Sequence, residues 1–532
     1  MKKVKNIKML ALMAVVFAAS SCSDFLDVNK DPNRVTGDNV TPDLIFTQAE
    51  HAVGLRQATR FVFLNNWMGY WSRSGTFIVE QEETTYKVTG TSTESENNWD
   101  NAYNVLFDLN QVETKALTAK DSTLTAASII LSCKLWQETV DQFGAIPYTK
   151  AFDYINNPRP TYDKATDIYA DLLLRLDKAI TYLNASVPTS KFVNTDIIFC
   201  RGGAKKGGVD LENAIPQWKK LANTIKLRIY LRQAEKGFIP SGAQIAKITT
   251  DGFLLGAGED VSVNPGYVNS TDKQNPFYAA YGLTPSGSAA TSNNKPNNYF
   301  VKIILGNTDP RALRFFAGKT LADIKGTDYG SLGGNKTPGG ATIVGTEIGP
   351  GLAGSPTQDQ FILPSFESLF FQAEATARGW LPGGDAATKT LFESAIKESF
   401  RWLGTGADLV ASKKTKLDAV GVSDSLFNVY IASVNSANWV NSGTTPADKV
   451  KFIAYQKYVA LNGIDAVEAW SDLRRGVLVL PTGYLSNNAI VQNDATAHLP
   501  FVMPYPQTEV TTNSVNLPAR TSIFTEKLFW QP

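Results

Sequence analysis

Histidine and cysteine are scarce in this sequence. Its 532 residues include two histidines, His51 and His498, and three cysteines. Zinc centres and Ser-His-Asp triads need histidine beside cysteine or a placed nucleophile, so this composition argues against both. We therefore expect no metal site and no cofactor. One cysteine lies near the N-terminus, and Cys133 and Cys200 are expected to be small core residues, with a disulfide between them as the less favoured alternative.

An excess of charge of either sign is also missing. The chain has 51 basic and 50 acidic side chains, which gives a net charge of +1. A nearly neutral surface argues against nucleic acid or an anionic membrane surface as the partner. Glu80, Glu82 and Glu83 form a charged run, which is typical of a solvated face and does not show the defined pair of acids that a glycosidase needs. We expect no catalytic residues.

Long apolar runs are absent, with one short exception at the N-terminus. Residues 1–8 carry four lysines and no acid, and residues 9–19, MLALMAVVFAA, are uniformly apolar. This run is too short for a membrane span, which takes about 20 residues, but it matches the core of a signal peptide. The sequence ASSC that follows ends in Cys22, as in a relaxed lipobox with alanine at the place usually held by leucine. We predict that residues 1–21 are removed and Cys22 is lipidated, with simple secretion as the alternative.

Apolar residues recur at helical spacing along most of the chain. Trp99 and Trp136 lie on such stripes and are predicted to be core residues, and residues 448–476 show the same helical spacing. Trp218-x-x-Leu221-Ala222 is similar to the opening of a tetratricopeptide unit. The pattern predicts a mostly α fold of helix pairs, with an irregular helical bundle as the open alternative.

Helical periodicity stops between about residues 238 and 360, where glycine, proline, asparagine, serine and threonine dominate. Long loops in a compact protein are usually functional or disordered, and the aromatic residues in this stretch favour ordered surface loops. The predicted parts of the mature chain are a lipidated flexible tether at 22–40 and a single domain at 41–532, with a helical scaffold at about 41–237 and 361–476, a loop-rich binding region at about 238–360 and a C-terminal wrap at 477–532.

Aromatic side chains stand beside asparagine and arginine in residues 65–90. A flat ring packs against the C–H face of a pyranose while amide and guanidinium groups bond its hydroxyls, so this mixture is typical of carbohydrate sites. The first three aromatic residues also have the i, i+3, i+4 spacing of a buried helix face, and that alternative stays open. The candidate ligand contacts in this segment are Trp67, Tyr70, Trp71, Arg73 and Phe77.

A second candidate is the sequence NPFYAAYGLTPSGSAATSNNKPNNYF at residues 275–300. Its tyrosines stand among asparagines and turn residues, which predicts that they lie in loops. Loop aromatics either contact a ligand or pin the loop to the body of the protein, and both interpretations stay open. The candidate ligand contacts in this segment are Tyr278, Tyr281, Asn293, Asn294 and Tyr299.

Separated stretches of the chain share the order of a known family. They are SCSDFLDVNKDPN, WDNAYNVLFDLNQV, DQFGAIPYTKAF, PTYDKATDIYADLLLRLDKAI, WKKLANTIKLRIYLR, TDPRALRFF, FFQAEATARG, EAWSDLRRG and PYPQTEVTTN. Together they resemble the SusD/RagB family of nutrient-binding outer-membrane lipoproteins. The chain departs from the family pattern at Ala145, where an acid is usual, and at Val502-Met503-Pro504, where an arginine is usual.

The resemblance implies a scaffold of four tetratricopeptide-like helix pairs whose loops bind an oligosaccharide, or a peptide in some members. It also implies a lipid-anchored protein on the outer membrane of a Gram-negative bacterium, facing outward over a SusC-like TonB-dependent barrel. We hypothesise that the protein captures a glycan and delivers it to that barrel without covalent chemistry. The alternatives are a peptide-binding RagB-like member, a helical interaction scaffold without a sugar site, and a secreted hydrolase.

Overall fold

The computed structural model of the protein describes residues 40–77, 81–186, 190–201, 211–250, 259–332, 334–405, 424–488 and 498–532. Cys22, the predicted signal peptide and Glu80 lie outside the described residues. Helices dominate the rest, as the sequence predicted. The helices of the N-terminal half are α1 (Pro42–Thr59), α2 (Val62–Trp67), α3 (Gln81–Thr84), α4 (Thr93–Thr118), α5 (Ser122–Phe143), α6 (Ala165–Asn184), α7 (Ser190–Thr195) and α8 (Leu211–Arg232).

The C-terminal half has shorter helices separated by longer loops. A π-helical turn occupies Phe300–Leu305, and single 3-10 turns occupy Ala234–Lys236, Leu321–Asp323 and Trp439–Asn441. The α-helices are α9 (Gly242–Thr249), α10 (Pro276–Tyr281), α11 (Ala312–Phe315), α12 (Ser365–Ala377), α13 (Gly384–Leu403), α14 (Asp424–Ser433), α15 (Pro446–Ala460), α16 (Ala466–Arg475) and α17 (Gln507–Thr512).

Consecutive long helices pack against each other. The most extensive contacts join α4 with α5, α5 with α6, and α12 with α13. α4 and α6 each bury one apolar face, whereas α5 is buried on nearly every side between its neighbours. The predicted core residues Trp99 and Trp136 lie in these contacts and are each 4% exposed. The mostly α scaffold of helix pairs is thus confirmed.

Local chemistry decides where helices begin and end. The Asp121 carboxylate caps α5 by accepting a hydrogen bond from the Leu124 amide at 2.9 Å. The stretch 448–476, which has helical spacing throughout, forms two helices, α15 and α16, which are separated by a turn at Gly463. The φ of Gly463 is +70°, a left-handed conformation that side-chain-bearing residues rarely adopt.

A buried ionic network joins four of the helices. Arg232 of α8 pairs with Asp141 of α5 at 3.0 Å and with Glu468 of α16 at 2.5 Å. Lys457 of α15 also lies 3.0 Å from Glu468. Burial opposes the ionisation of Glu468, but Arg232 and Lys457 outweigh it and hold its pKa well below the ordinary value. The network therefore links α5, α8, α15 and α16 through buried charges that stabilise one another.

The strands in the described parts of the chain are short and form antiparallel pairs. β1 (Trp71–Arg73) pairs with β3 (Asn294–Pro296), and β2 (Val261–Val263) pairs with β4 (Gln360–Leu363). Both β2 and β4 lie against α1. Each pair joins segments that are far apart in the sequence, so the sheets attach the loop-rich region to the helices.

The C-terminal stretch returns across the helices. The Trp530 indole donates to Asp141 at 3.0 Å, and the Arg520 guanidinium donates to the Phe143 carbonyl at 2.6 Å. Cys133 and Cys200 are both buried, and no disulfide joins them. Within the described residues, no helix combines the length and the apolar composition that crossing a membrane requires.

Candidate functional site

The two candidate segments of the sequence meet in one small sheet. Pairing of β1 with β3 sets Trp71 opposite Pro296 and Arg73 opposite Asn294. The Ser74 amide then donates to the Asn293 carbonyl at 2.8 Å, which extends the contact beyond the strands. Two loops that the sequence places far apart therefore form one surface.

Trp67, Tyr70 and Trp71 lie beneath this surface and have no exposed area. A fully covered ring has no face for a sugar, so their interpretation as ligand contacts is corrected. The buried-face alternative describes them instead, and they support the loops from below. Their polar groups are satisfied inside the protein at 3.1, 2.7 and 3.0 Å, by Glu83 O, Tyr458 O and Asn462 Oδ1 respectively.

Tyr281 belongs to the same buried floor. Its ring lies 5.1 Å from that of Trp71, and only 6% of the residue is exposed. Its interpretation as a ligand contact is therefore corrected in the same way. The prediction that Tyr278 and Tyr281 lie in loops is also wrong, because both belong to α10, and Tyr281 pins this short helix to the protein body. Tyr278, on the same short helix, is half-buried and keeps accessible surface, so its contact with a ligand stays a prediction.

Arg73 and Phe77 stand at the edge of the sheet, and both are half-buried. The Arg73 guanidinium lies 6.0 Å from the centre of the Phe77 ring and donates to Asn294 Oδ1 at 3.0 Å. Asn294 is 7% exposed, so it serves mainly to hold Arg73, whereas Asn293 is half-buried. A role for Arg73, Phe77 and Asn293 in ligand contact stays a prediction.

Glu83 is the centre of a hydrogen-bond cluster under these loops. Its carboxylate accepts from Asn66 at 2.7 Å, from Arg73 at 2.8 Å and from the Tyr329 hydroxyl at 2.9 Å. Because Glu83 is only 2% exposed, the solvated face predicted for this acidic run is wrong at this position, although Glu82 is exposed. A buried carboxylate needs such partners, and it links α2, β1 and the loop that carries Tyr329.

A cleft of about 310 Å³ opens beside the Glu83 cluster, and we call it the loop cleft. Tyr329 belongs to both features. Of the predicted contacts, only Tyr299 lines this cleft; the residue is 5% exposed, so it offers the cleft a ring edge and no open face. A Cβ at Gly69 would lie 2.9 Å from this ring. The remaining lining comes from Asn297, Asn298, Lys302, Ile303, Asp328, Thr482, Gly483, Leu485 and Asn487.

Neighbouring contacts hold the polar groups of the loop cleft in place. Asn298 Nδ2 donates to Asp328 at 2.7 Å, and the Tyr299 hydroxyl donates to the Pro481 carbonyl at 2.9 Å. Lys302 and Asp328 carry opposite charges, so the lining residues together have no net charge. Amides, a carboxylate and ring edges in a neutral setting suit a ligand rich in hydroxyl groups.

The sequence interpretation missed most of this lining. Asn297 and Asn298 stand only a few positions after the named Asn293 and Asn294, and residues 482–487 come from a stretch that we assigned to wrapping. A usable signal was the run of amides beside an aromatic ring at residues 297–299. Nothing in the sequence, however, indicates that these residues meet the C-terminal stretch.

A second cleft, of about 340 Å³, lies against α4. It is lined by Trp99, Asp100 and Tyr103 among others, and by Glu509 of α17. Burial, together with the nearby Glu96 and Glu509, raises the pKa of Asp100. The lining carries carboxylates without a balancing cation, and Trp99 is nearly covered. This cleft suits a neutral hydroxyl-rich ligand less well than the loop cleft does.

Solved structures share this fold. A SusD homolog from Bacteroides fragilis matches with a TM-score of 0.69 at 18% identity, over 93% of this chain and 99% of that one. A chitin-binding SusD homolog from Flavobacterium johnsoniae matches with a TM-score of 0.68 at 20% identity, over 91% and 98%. A SusD/RagB family protein from Bacteroides thetaiotaomicron matches with a TM-score of 0.69 at 15% identity, over 92% and 99%. A comparison with curated proteins found no match.

The match of the sequence to a protein family is more specific than its likeness to these distant structures. Residues 32–506 match a SusD-like family model described as "Starch-binding associating with outer membrane". The matched range takes in both long-helix regions and all segments of the loop cleft. The structural matches agree with the tetratricopeptide-like helix pairs of the scaffold. This chain belongs to the SusD-like family, also called SusD/RagB, of nutrient-binding proteins that associate with the outer membrane.

Proposed function

We propose that this protein binds a neutral glycan in the loop cleft and passes it to a SusC-like TonB-dependent transporter, while a lipid on Cys22 anchors it to the cell surface. The loop cleft carries the proposal, because its amides, its carboxylate and its tyrosine edges converge without a net charge. The family description names starch, and one structural relative is chitin-binding, so hexose polymers are the ligand class to test first.

Recognition needs no covalent step. Asn298 and Asp328 already bond each other, and Tyr299 is held by Pro481, so these groups lose little conformational entropy when a sugar arrives. Each can still offer a further lone pair or N–H to a hydroxyl. We therefore assign the protein to binding and delivery rather than to catalysis.

Calorimetry on the chain from residue 23, after a screen of starch and chitin oligosaccharides on a glycan array, tests the ligand class. Asn298→Ala should weaken binding, and Asn97→Ala, an exposed asparagine on α4 outside the loop cleft, is the matched control. Peptide binding without glycan binding would overturn the proposal in favour of a peptide carrier. Release of new reducing ends would indicate a hydrolase.

The anchor and the transporter are tested on the full chain in its native membrane. Cys22→Ala should abolish acylation and membrane retention and leave the glycan affinity of the folded domain unchanged. A TonB-dependent barrel should co-purify with the acylated protein after mild detergent extraction. Retention of the Cys22→Ala protein at the membrane, or purification without a barrel, would contradict these parts of the proposal.

A further inference from the structure

One wall of the loop cleft is a short segment of the C-terminal stretch, residues 481–488, which we call the strap. Its residues Thr482, Gly483, Leu485 and Asn487 line the cleft. Residues 481–486 belong to no helix or strand, so the position of the strap depends on individual contacts with neighbouring segments.

Those contacts are mostly to side-chain hydroxyls. The Tyr299 hydroxyl donates to the Pro481 carbonyl at 2.9 Å at one end of the strap. Near the other end, the Ser486 amide donates to the Tyr86 hydroxyl at 2.6 Å. Two further bonds hold the last residues of the strap, from Asn487 N to Tyr329 O at 3.0 Å and from Asn488 Nδ2 to Thr84 Oγ1 at 2.8 Å.

Tyr86 is the unusual member of this set. Its φ is +60°, in the left-handed region, which is an outlier for a bulky side chain. The ring is fully buried and packs edge-on against Trp67 with centroids 5.6 Å apart. Strained backbone persists only where the surroundings over-determine it, and such residues cluster at binding and switch sites. With this backbone conformation, the Tyr86 hydroxyl lies within hydrogen-bond distance of the strap.

The strap also packs against the Tyr299 ring, which lines the loop cleft. A Cβ at Gly483 would lie 3.5 Å from the Tyr299 ring, and one at Gly69 would lie 2.9 Å from its other side. The ring is therefore held between these two backbones. A shift of the strap changes both the width of the cleft and the room around Tyr299.

We infer that Tyr86 is a positioning residue for the glycan site, which fixes the strap through the Ser486 amide and so sets the geometry of the loop cleft. The inference rests on the proposed function and deepens it. Tyr86 touches no ligand itself, because its ring is covered. Its effect reaches the ligand only through the wall that the strap forms.

Tyr86→Phe tests this, since it keeps the ring and removes the hydroxyl. The amides of the strap should exchange with deuterium about five- to tenfold faster, as expected for one lost hydrogen bond. Affinity for the glycan identified on the array should fall about fivefold, through faster dissociation. The matched control is Tyr505→Phe, whose hydroxyl donates to the Ala145 carbonyl at 2.7 Å outside the loop cleft and whose residue is 5% exposed.

The two variants should lower the melting temperature by similar amounts, and only Tyr86→Phe should change strap exchange and glycan affinity. Unchanged strap exchange in Tyr86→Phe overturns the inference even if no glycan binds. Faster strap exchange with wild-type glycan affinity also overturns the inference, because the position of the strap would then not determine the affinity. Failure of the wild-type protein to bind any glycan overturns the proposed function and is recognised independently of the exchange result.

Discussion

The helical scaffold and the loop cleft are held together in different ways. In the scaffold, helices such as α4 and α5 follow each other in the chain and pack extensively against each other. The cleft joins residues 297–303, 328–329 and 482–487, and single bonds such as Tyr329 to Glu83 fix them. Scaffold stability is therefore spread over many contacts, whereas cleft geometry depends on a few.

The largest expected effect comes from the floor between the two regions. Trp71→Ala should lower the free energy of unfolding by about 3–5 kcal/mol, because it leaves a cavity under the small sheet. It also removes the indole N–H that donates to Asn462 Oδ1. Urea denaturation measures the loss. Phe77→Ala, at a half-buried position of the same loop, should cost much less. Equal losses for both would mean that the floor is not part of the scaffold.

A smaller effect, confined to the scaffold, concerns an ion pair. Glu374 of α12 lies 2.5 Å from Arg475 and 2.8 Å from Arg378. Burial opposes its ionisation, but these two arginines hold its pKa at about 2, below the ordinary 4.5. A depressed carboxyl pKa stabilises the fold above pH 4.5, and this stabilisation is lost as the pH falls toward 2.

Glu374→Gln should therefore destabilise the protein by about 1.5–3 kcal/mol at pH 7. Its deficit relative to the wild-type protein should narrow as the pH is lowered from 4.5 toward 2. Urea denaturation at several pH values follows the difference. A deficit that stays constant over this window would mean that the charge of Glu374 does not contribute. Glycan affinity at pH 7 should not change, because Glu374 does not line the loop cleft.

The smallest effect on stability should come from the cleft itself. Asp328 is exposed, so Asp328→Ala should change the free energy of unfolding by no more than about 0.5 kcal/mol. Glycan affinity should fall about tenfold, which corresponds to about 1.4 kcal/mol. Calorimetry compares it with Asp167→Ala, an exposed acid at the start of α6. Equal affinities for the two variants would remove Asp328 from the site.

The sequence predicted that the scaffold is helical and where most of its long helices lie. Apolar spacing identified the long helices and placed Trp99 and Trp136 in the core, because an apolar stripe at helical spacing packs against neighbouring helices. The spacing did not show where the break between α15 and α16 lies, since Gly463 is only one glycine within a continuing apolar pattern. The signal peptide and Cys22 lipidation remain predictions, because they lie outside the described residues.

The sequence predicted two of the segments that form the site but not which of their residues line it. Both candidate segments do meet, yet Trp71 and Tyr281 are covered, and Tyr299 alone among the named residues lines the loop cleft. An aromatic residue in a loop has the same local sequence whether it faces a ligand or pins the loop down. Glu83 illustrates the converse, because a charged run looked solvated until Arg73 and Tyr329 were found beside it.

The sequence by itself determined the long helices and, through its ordered segments, the family. Those properties are local, because periodicity and helix ends depend on residues within a few turns of one another. Only the tertiary structure decided which aromatics are covered, which carboxylate is buried and which loops form the cleft. These outcomes depend on contacts such as the Tyr86 hydroxyl with the Ser486 amide, 400 positions apart, and no local pattern encodes such a meeting.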